Sequence, residues 1–121
     1  MKIDCQMKPF IPEMRLFHSR EKCLAWCEKK GVDVPLVDTD AQTFDVDGIQ
    51  VVLFEGSSDD VWWDALLIHE AYHVVCNHLQ NIGEELAGEE ITAYMLQVVS
   101  GALIYKHHKW LRKRKKDGGK H

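Results

Sequence analysis

Apolar and polar positions divide the chain into a short β-rich region followed by two long helical stretches. Residues 1–12 contain Pro9 and Pro12 and hold no sustained period, so they read as an extended or irregular arm. Across residues 13–18, EMRLFH, Met14, Leu16 and His18 alternate with their neighbours and predict a short strand. Ser19 can cap a helix running from Arg20 to about Lys30. Within it Cys23, Leu24, Ala25, Trp26 and Cys27 form an inward stripe, and Gly31 is the stop signal. The following DVPLVDTDAQ is turn-rich, and Pro35 allows at most an edge strand over 34–37. Phe44, Asp45 and Val46 lead into Asp47-Gly48, a favoured two-residue turn. The β-branched, apolar run Ile49 to Phe54 follows, so the pattern predicts a hairpin with a buried second strand.

Ser57 and Asp60 match a capping-box spacing and start a helix expected from about Ser58 to Gln80. Its apolar residues, from Val61, Trp62 and Trp63 to Val74, Val75 and Leu79, cover nearly the whole circumference. That pattern describes a buried, central helix with both tryptophans in the core. Asn81-Ile82-Gly83 interrupts it, and a second long helix begins between Glu84 and Glu89 and continues to at least Tyr105. Its apolar part is only about 15 residues and includes Thr92, Gln97 and Ser100, short of the roughly 20 that span a bilayer, so a core helix is expected.

The 121 residues suit one domain with a real core, and 45% hydrophobic with 28% charged residues is an ordinary globular balance. Charge is unevenly placed. Residues 1–105 hold 7 Lys and Arg against 18 Asp and Glu, whereas residues 106–121 hold 8 against 1. The chain therefore reads as a single domain over 1–105 with a basic C-terminal tail over 106–121. Seven cations in KHHKWLRKRKK, residues 106–116, suit a helix C-terminus or an acidic partner such as nucleic acid or a membrane surface. The N-terminus has no apolar signal region, so a cytoplasmic protein is expected. Cys5, Cys23, Cys27 and Cys76 read as reduced thiols, with Cys76 a small buried hydrophobe.

Candidate chemistry is concentrated in Leu66 to His78, LLIHEAYHVVCNH, where His69, Glu70 and His73 form HExxH. A four-residue helical step turns about 400° and climbs about 6 Å, so both imidazoles leave one face and can reach one metal ion. Glu70 flanks that face and can act as general base on a water at the metal. A shuffled chain of this composition carries the pattern roughly 3 per cent of the time, so its setting must decide. Catalytic zinc needs a third protein ligand. HExxHxxGxxH would require Gly at 76 and His at 79, but these are Cys76 and Leu79, and His78 is about 100° out of register. Glu89 and Glu90, in GEEITAYMLQ, are the downstream candidates.

Here the sequence resembles the gluzincins, metallopeptidases whose third ligand is a Glu on a helix downstream of HExxH, often as Glu-x-x-Ala. Glu90-Ile91-Thr92-Ala93 fits. The blocks HEAYHVV and EEITAYMLQ are most similar to those of small metallopeptidases borne by phages and prophages, over roughly residues 62–97. The resemblance implies Zn2+ held by His69, His73 and Glu90, with Glu89 the fallback, and Glu70 as base. It also implies a peptide or protein substrate and, for a phage protein, the host cytoplasm. Some gluzincins carry an acid four positions after the ligand Glu, where this chain has Tyr94. Glu90, Ala93, Tyr94, Gln97 and Gly101 form a helical stripe. Its small residues would let the two long helices approach closely, Tyr94 could hydrogen-bond an oxyanion, and Gln97 could orient a ligand.

These readings predict an α+β domain, a small antiparallel or mixed sheet with a hairpin packed on two long helices carrying an HExxH…E zinc site. The expected function is peptide hydrolysis by a Glu-activated water, with the hairpin's second strand aligning substrate. The alternatives are a catalytically idle zincin-fold protein and a nucleic-acid-binding module using the basic tail.

Overall fold

The computed structural model describes residues 2–3, 11–34, 36–37, 39–56, 60–83 and 88–118. The strands are β1 (Lys2–Ile3), β2 (Met14–Phe17), β3 (Ala41–Val46) and β4 (Ile49–Phe54), and the helices are α1 (Arg20–Lys29), α2 (Val61–Asn81) and α3 (Glu89–Gly118). The sheet order is β1-β2-β4-β3. β4 runs parallel to β2, with Met14 beside Gln50, and antiparallel to β3, with Val46 beside Ile49. Asp47 and Gly48 both take positive φ, 52° and 84°, as the tight hairpin requires.

β4 has strands on both sides and helices on both faces. Val52 and Phe54 point into a core shared with Met14, Leu16, Leu67, Ala71, Val74, Met95, Val99 and Leu103. Val51 and Leu53 point the other way, onto Cys23, Cys27 and Val46. That two-sided burial explains why IQVVLF shows no alternation: both sets of side chains leave water. The expected buried second strand and α+β class are found. The layering is finer than expected, because α1 covers one face of the sheet while α2 and α3 cover the other. Residues 34 and 36–37 form no strand, although Val34 and Leu36 still pack against the α1-side core.

Capping also departs from expectation. Ser19 caps α1 by accepting from the Lys22 N–H, but the N-cap of α2 is Asp60, whose carboxylate accepts from the Trp62 N–H. Ser57 lies outside the described residues. Cys23, Cys27 and Cys76 are free thiols, and burial pushes Cys23 up to about 12, so it stays protonated; Cys5 is outside the described residues. No described helix is long and apolar enough to cross a membrane.

α3 continues through the basic segment without a break. Met95, Val99, Leu103 and His107, at successive four-residue steps, are all fully buried, so one inner face runs well past Tyr105. His108 Nε2 lies 2.8 Å from Asp64 Oδ1 and ties this part of α3 to the first turn of α2. His107 Nδ1 lies 3.0 Å from His18 Nε2, and the His18 ring stacks on Trp110 at 3.8 Å, tilted by 1°.

Burial, and then the neighbouring His107 and Arg114, hold His18 down at about 3, against 6.5 for a free imidazole. The folded state therefore keeps the ring neutral while the unfolded chain protonates it first. Its contribution is complete above about pH 6.5 and is lost as pH falls toward 3. Urea unfolding should thus show wild type losing more stability between pH 7 and pH 5 than His18→Gln does. Parallel profiles for the two proteins would refute the assignment.

Candidate metal centre

α2 places its side chains by burial rather than by hydropathy. Leu67, Glu70, Ala71, Val74, Val75, His78 and Leu79 face inward, whereas His69, Tyr72, His73 and Cys76 are exposed. This corrects the expectation of a helix buried all round: Val61 is 80% and Trp62 67% exposed, and of the three residues that begin the helix Trp63 alone packs on the core. Cys76 is likewise a surface thiol, not a buried hydrophobe. The HExxH motif is consequently split between water and core, its two histidines outside and its glutamate inside.

The exposed pair has a defined spacing. His69 Nε2 and His73 Nε2 are 3.3 Å apart, with the rings inclined at 72°. One neutral ring can donate to the other across that distance. The same distance is what two metal–nitrogen bonds of about 2.0–2.1 Å at a tetrahedral angle impose, about 3.3–3.4 Å. The two donors therefore fit one ion.

Glu70 is 4% exposed and its Oε1 accepts a 2.7 Å hydrogen bond from Thr43 Oγ1 on β3. Seven and eleven residues further along the same helical face, Asn77 donates to Gln50 Oε1 at 3.0 Å and Asn81 to Asp45 Oδ2 at 2.6 Å. Gln50, fully buried, donates to that same Asp45 oxygen at 2.6 Å. Three polar contacts to the hairpin thus set the rotation of α2, and His69 and His73, about 60–100° round the helix from Glu70, fall on its exposed side. Sequence reasoning missed Thr43, Gln50 and Asn77. Only Gln50, a polar residue inside the apolar run of β4, stood out as a signal.

The third donor does not join the pair. Among the described residues no group of three His, Cys, Asp or Glu side chains could hold a metal ion. Glu89 and Glu90 are exposed on the first turn of α3. The contact between Asp64 and His108 sets an antiparallel register in which His73 lies level with about Val99. Nine residues separate that level from Glu90, about 14 Å along the axis.

Two further expectations are corrected. Ala93, Tyr94, Gln97 and Gly101 are exposed, so their stripe does not face α2. A Cβ placed on Gly101 would meet nothing within 4 Å, which rules out a close helix approach there, since the apolar stripe from Met95 makes that contact instead. Substrate pairing by the second hairpin strand is also blocked, because β4 is already bonded on both edges. β3 is the edge strand, and it crosses the motif at Thr43.

No family model, curated protein or solved structure matches the chain.

Thr43→Val keeps the shape and leaves a buried carboxylate without its donor. It should cost about 1–3 kcal/mol in chemical denaturation. A loss below about 0.3 kcal/mol would show that the contact does not anchor Glu70.

Proposed function

We propose that the protein is a zinc-dependent peptidase in which His69 and His73 bind the metal and Glu70 is the general base. The observation that carries this reading is the 3.3 Å spacing of the two Nε2 atoms beside a buried, oriented carboxylate. A bound Zn2+ would act as a Lewis acid on a peptide carbonyl and make a nearby water acidic. Glu70 takes the proton of the attacking water and delivers it to the leaving amine as the C–N bond breaks, and Thr43 holds the carboxylate in place. Substrate is favoured as an extended chain. Among the described residues the outer edge of β3 pairs with no strand and is open to backbone pairing, and the exposed Ile68 and Tyr72 flank the imidazoles with apolar surface.

For the third donor the support is the sequence pattern Glu90-Ile91-Thr92-Ala93, with Glu89 beside it as the alternative. Binding through either requires the first turn of α3 to approach the imidazoles. Tyr94, one turn further along α3, would come with it and could hydrogen-bond a developing oxyanion.

One observation favours a second reading. With no third donor beside the pair among the described residues, the fold can serve as a catalytically idle zincin-like binding or assembly protein.

Metal analysis separates the two. Purified protein supplied with zinc should hold one equivalent, and His69→Ala or His73→Ala should release it. Glu70→Gln should keep the metal while peptide cleavage falls about 10²- to 10⁴-fold. Glu90→Gln should weaken zinc binding at least tenfold, and Glu89→Gln should not. Zinc retained by wild type and Glu70→Gln alike, with neither cleaving a peptide library, would establish the idle reading. No zinc in wild type would remove both.

A further inference from the structure

At the end of the molecule beyond the histidine pair, a cleft of about 470 Å³ opens between the start of α1 and the last third of α3. Leu16, Phe17, His18 and Lys22 line it from β2 and the start of α1, and Trp110, Lys113 and Arg114 from α3. We propose that this cleft binds backbone phosphates of a nucleic-acid strand, independently of any metal chemistry on α2.

Charge is the first argument. Among the described residues three cations line the cleft and no carboxylate does, although residues 1–105 carry 18 acids. Lys22 belongs to α1, Lys113 and Arg114 to α3, so positive charge converges from two elements. Beyond the cleft, Lys106, Lys109, Arg112, Lys115 and Lys116 continue along α3. An array of that length matches a repeating polyanion better than one isolated phosphate.

Rigidity is the second. Trp110 lies flat on His18 at 3.8 Å, and His18 is joined to the fully buried His107 at 3.0 Å. The Arg114 guanidinium sits 5.1 Å from the Trp110 ring centre, so cation–π attraction fixes its position. The cleft walls are therefore ordered before a ligand arrives. The same packing bears on what is recognised: the indole is already engaged by His18 and by Arg114, so the cations rather than the ring are the contacts offered to a ligand. Contacts go to phosphates, and binding is indifferent to sequence.

Lys22 provides the decisive test, because it lies some ninety residues from the tail in sequence. Binding of a short fluorescein-labelled oligonucleotide of mixed sequence to the full chain is followed by anisotropy between 50 and 200 mM KCl. Lys22→Ala and Arg114→Ala are each expected to weaken binding on the order of threefold to tenfold and to lower the salt slope by about one contact. Lys29→Ala, at the far end of α1, should match wild type, and circular dichroism confirms that each variant is folded. The proposal is overturned if Lys22→Ala binds like wild type while Lys115→Ala or Lys116→Ala is weakened, which is diffuse attraction to the helix end. It is overturned equally if inorganic phosphate or a free nucleotide displaces the strand at concentrations comparable to the oligonucleotide, if anionic lipid vesicles bind and the oligonucleotide does not, or if nothing binds at 50 mM.

Discussion

Two-sided burial of β4 is the constraint from which the other elements take their places. A strand whose side chains all leave water needs a layer on each face and a partner on each edge. α1 supplies one layer through Cys23 and Cys27, and α2 with α3 supplies the other. β2 takes one edge in parallel, which obliges the chain to cross over through α1 before the hairpin can form. β3 takes the other edge and becomes the outermost strand, the one whose middle passes over Glu70.

The position of α2 against that sheet is set by polar contacts as much as by apolar ones. Hydrophobic attraction has no direction, and a helix with Trp62, Ile68 and Tyr72 as well as Leu67 and Val74 could turn several ways against a core. Glu70, Asn77 and Asn81 remove that freedom because each meets a partner on the hairpin. A rotation of one residue would leave a buried carboxylate and the Oε1 of Gln50 without their hydrogen bonds, at about 1–3 kcal/mol for each group. The cost of unpaired polar groups thus explains how a helix can leave large apolar side chains in water while its histidines face outward as a pair.

α3 packs along α2, which carries the histidine pair, and runs on to the cleft beside His18. Its inner stripe from Met95 to His107 closes the core, and its final turns place Trp110 and Arg114 against His18. The basic segment is therefore not an appendage. It is the continuation of a packed helix, and the rings that hold it there also shape the cleft beside it.

Much of the fold was legible in local signals. The hairpin followed from Asp47-Gly48 because only a few residue types accept positive φ, α1 followed from Ser19 and its apolar stripe, and the β4 run announced burial by its composition. The spacing of His69 and His73 was legible too, since a four-residue helical step fixes it wherever the helix lies. What the sequence could not decide was which side of α2 and α3 faces the core. Apolar residues occur all round α2, so hydropathy gave no phase, and the polar partners that choose it, Thr43, Gln50 and Asp45, lie 20 to 40 residues away along the chain. For the same reason the stripe from Glu90 to Gly101 could look like a helix contact when it faces water. The sequence by itself determined the elements and the donor pair, because both depend on neighbours within a turn. Only the tertiary structure decided that Glu70 points inward, that β3 is the open edge and that Glu90 stands apart from the imidazoles, because those depend on how separate elements are placed against one another.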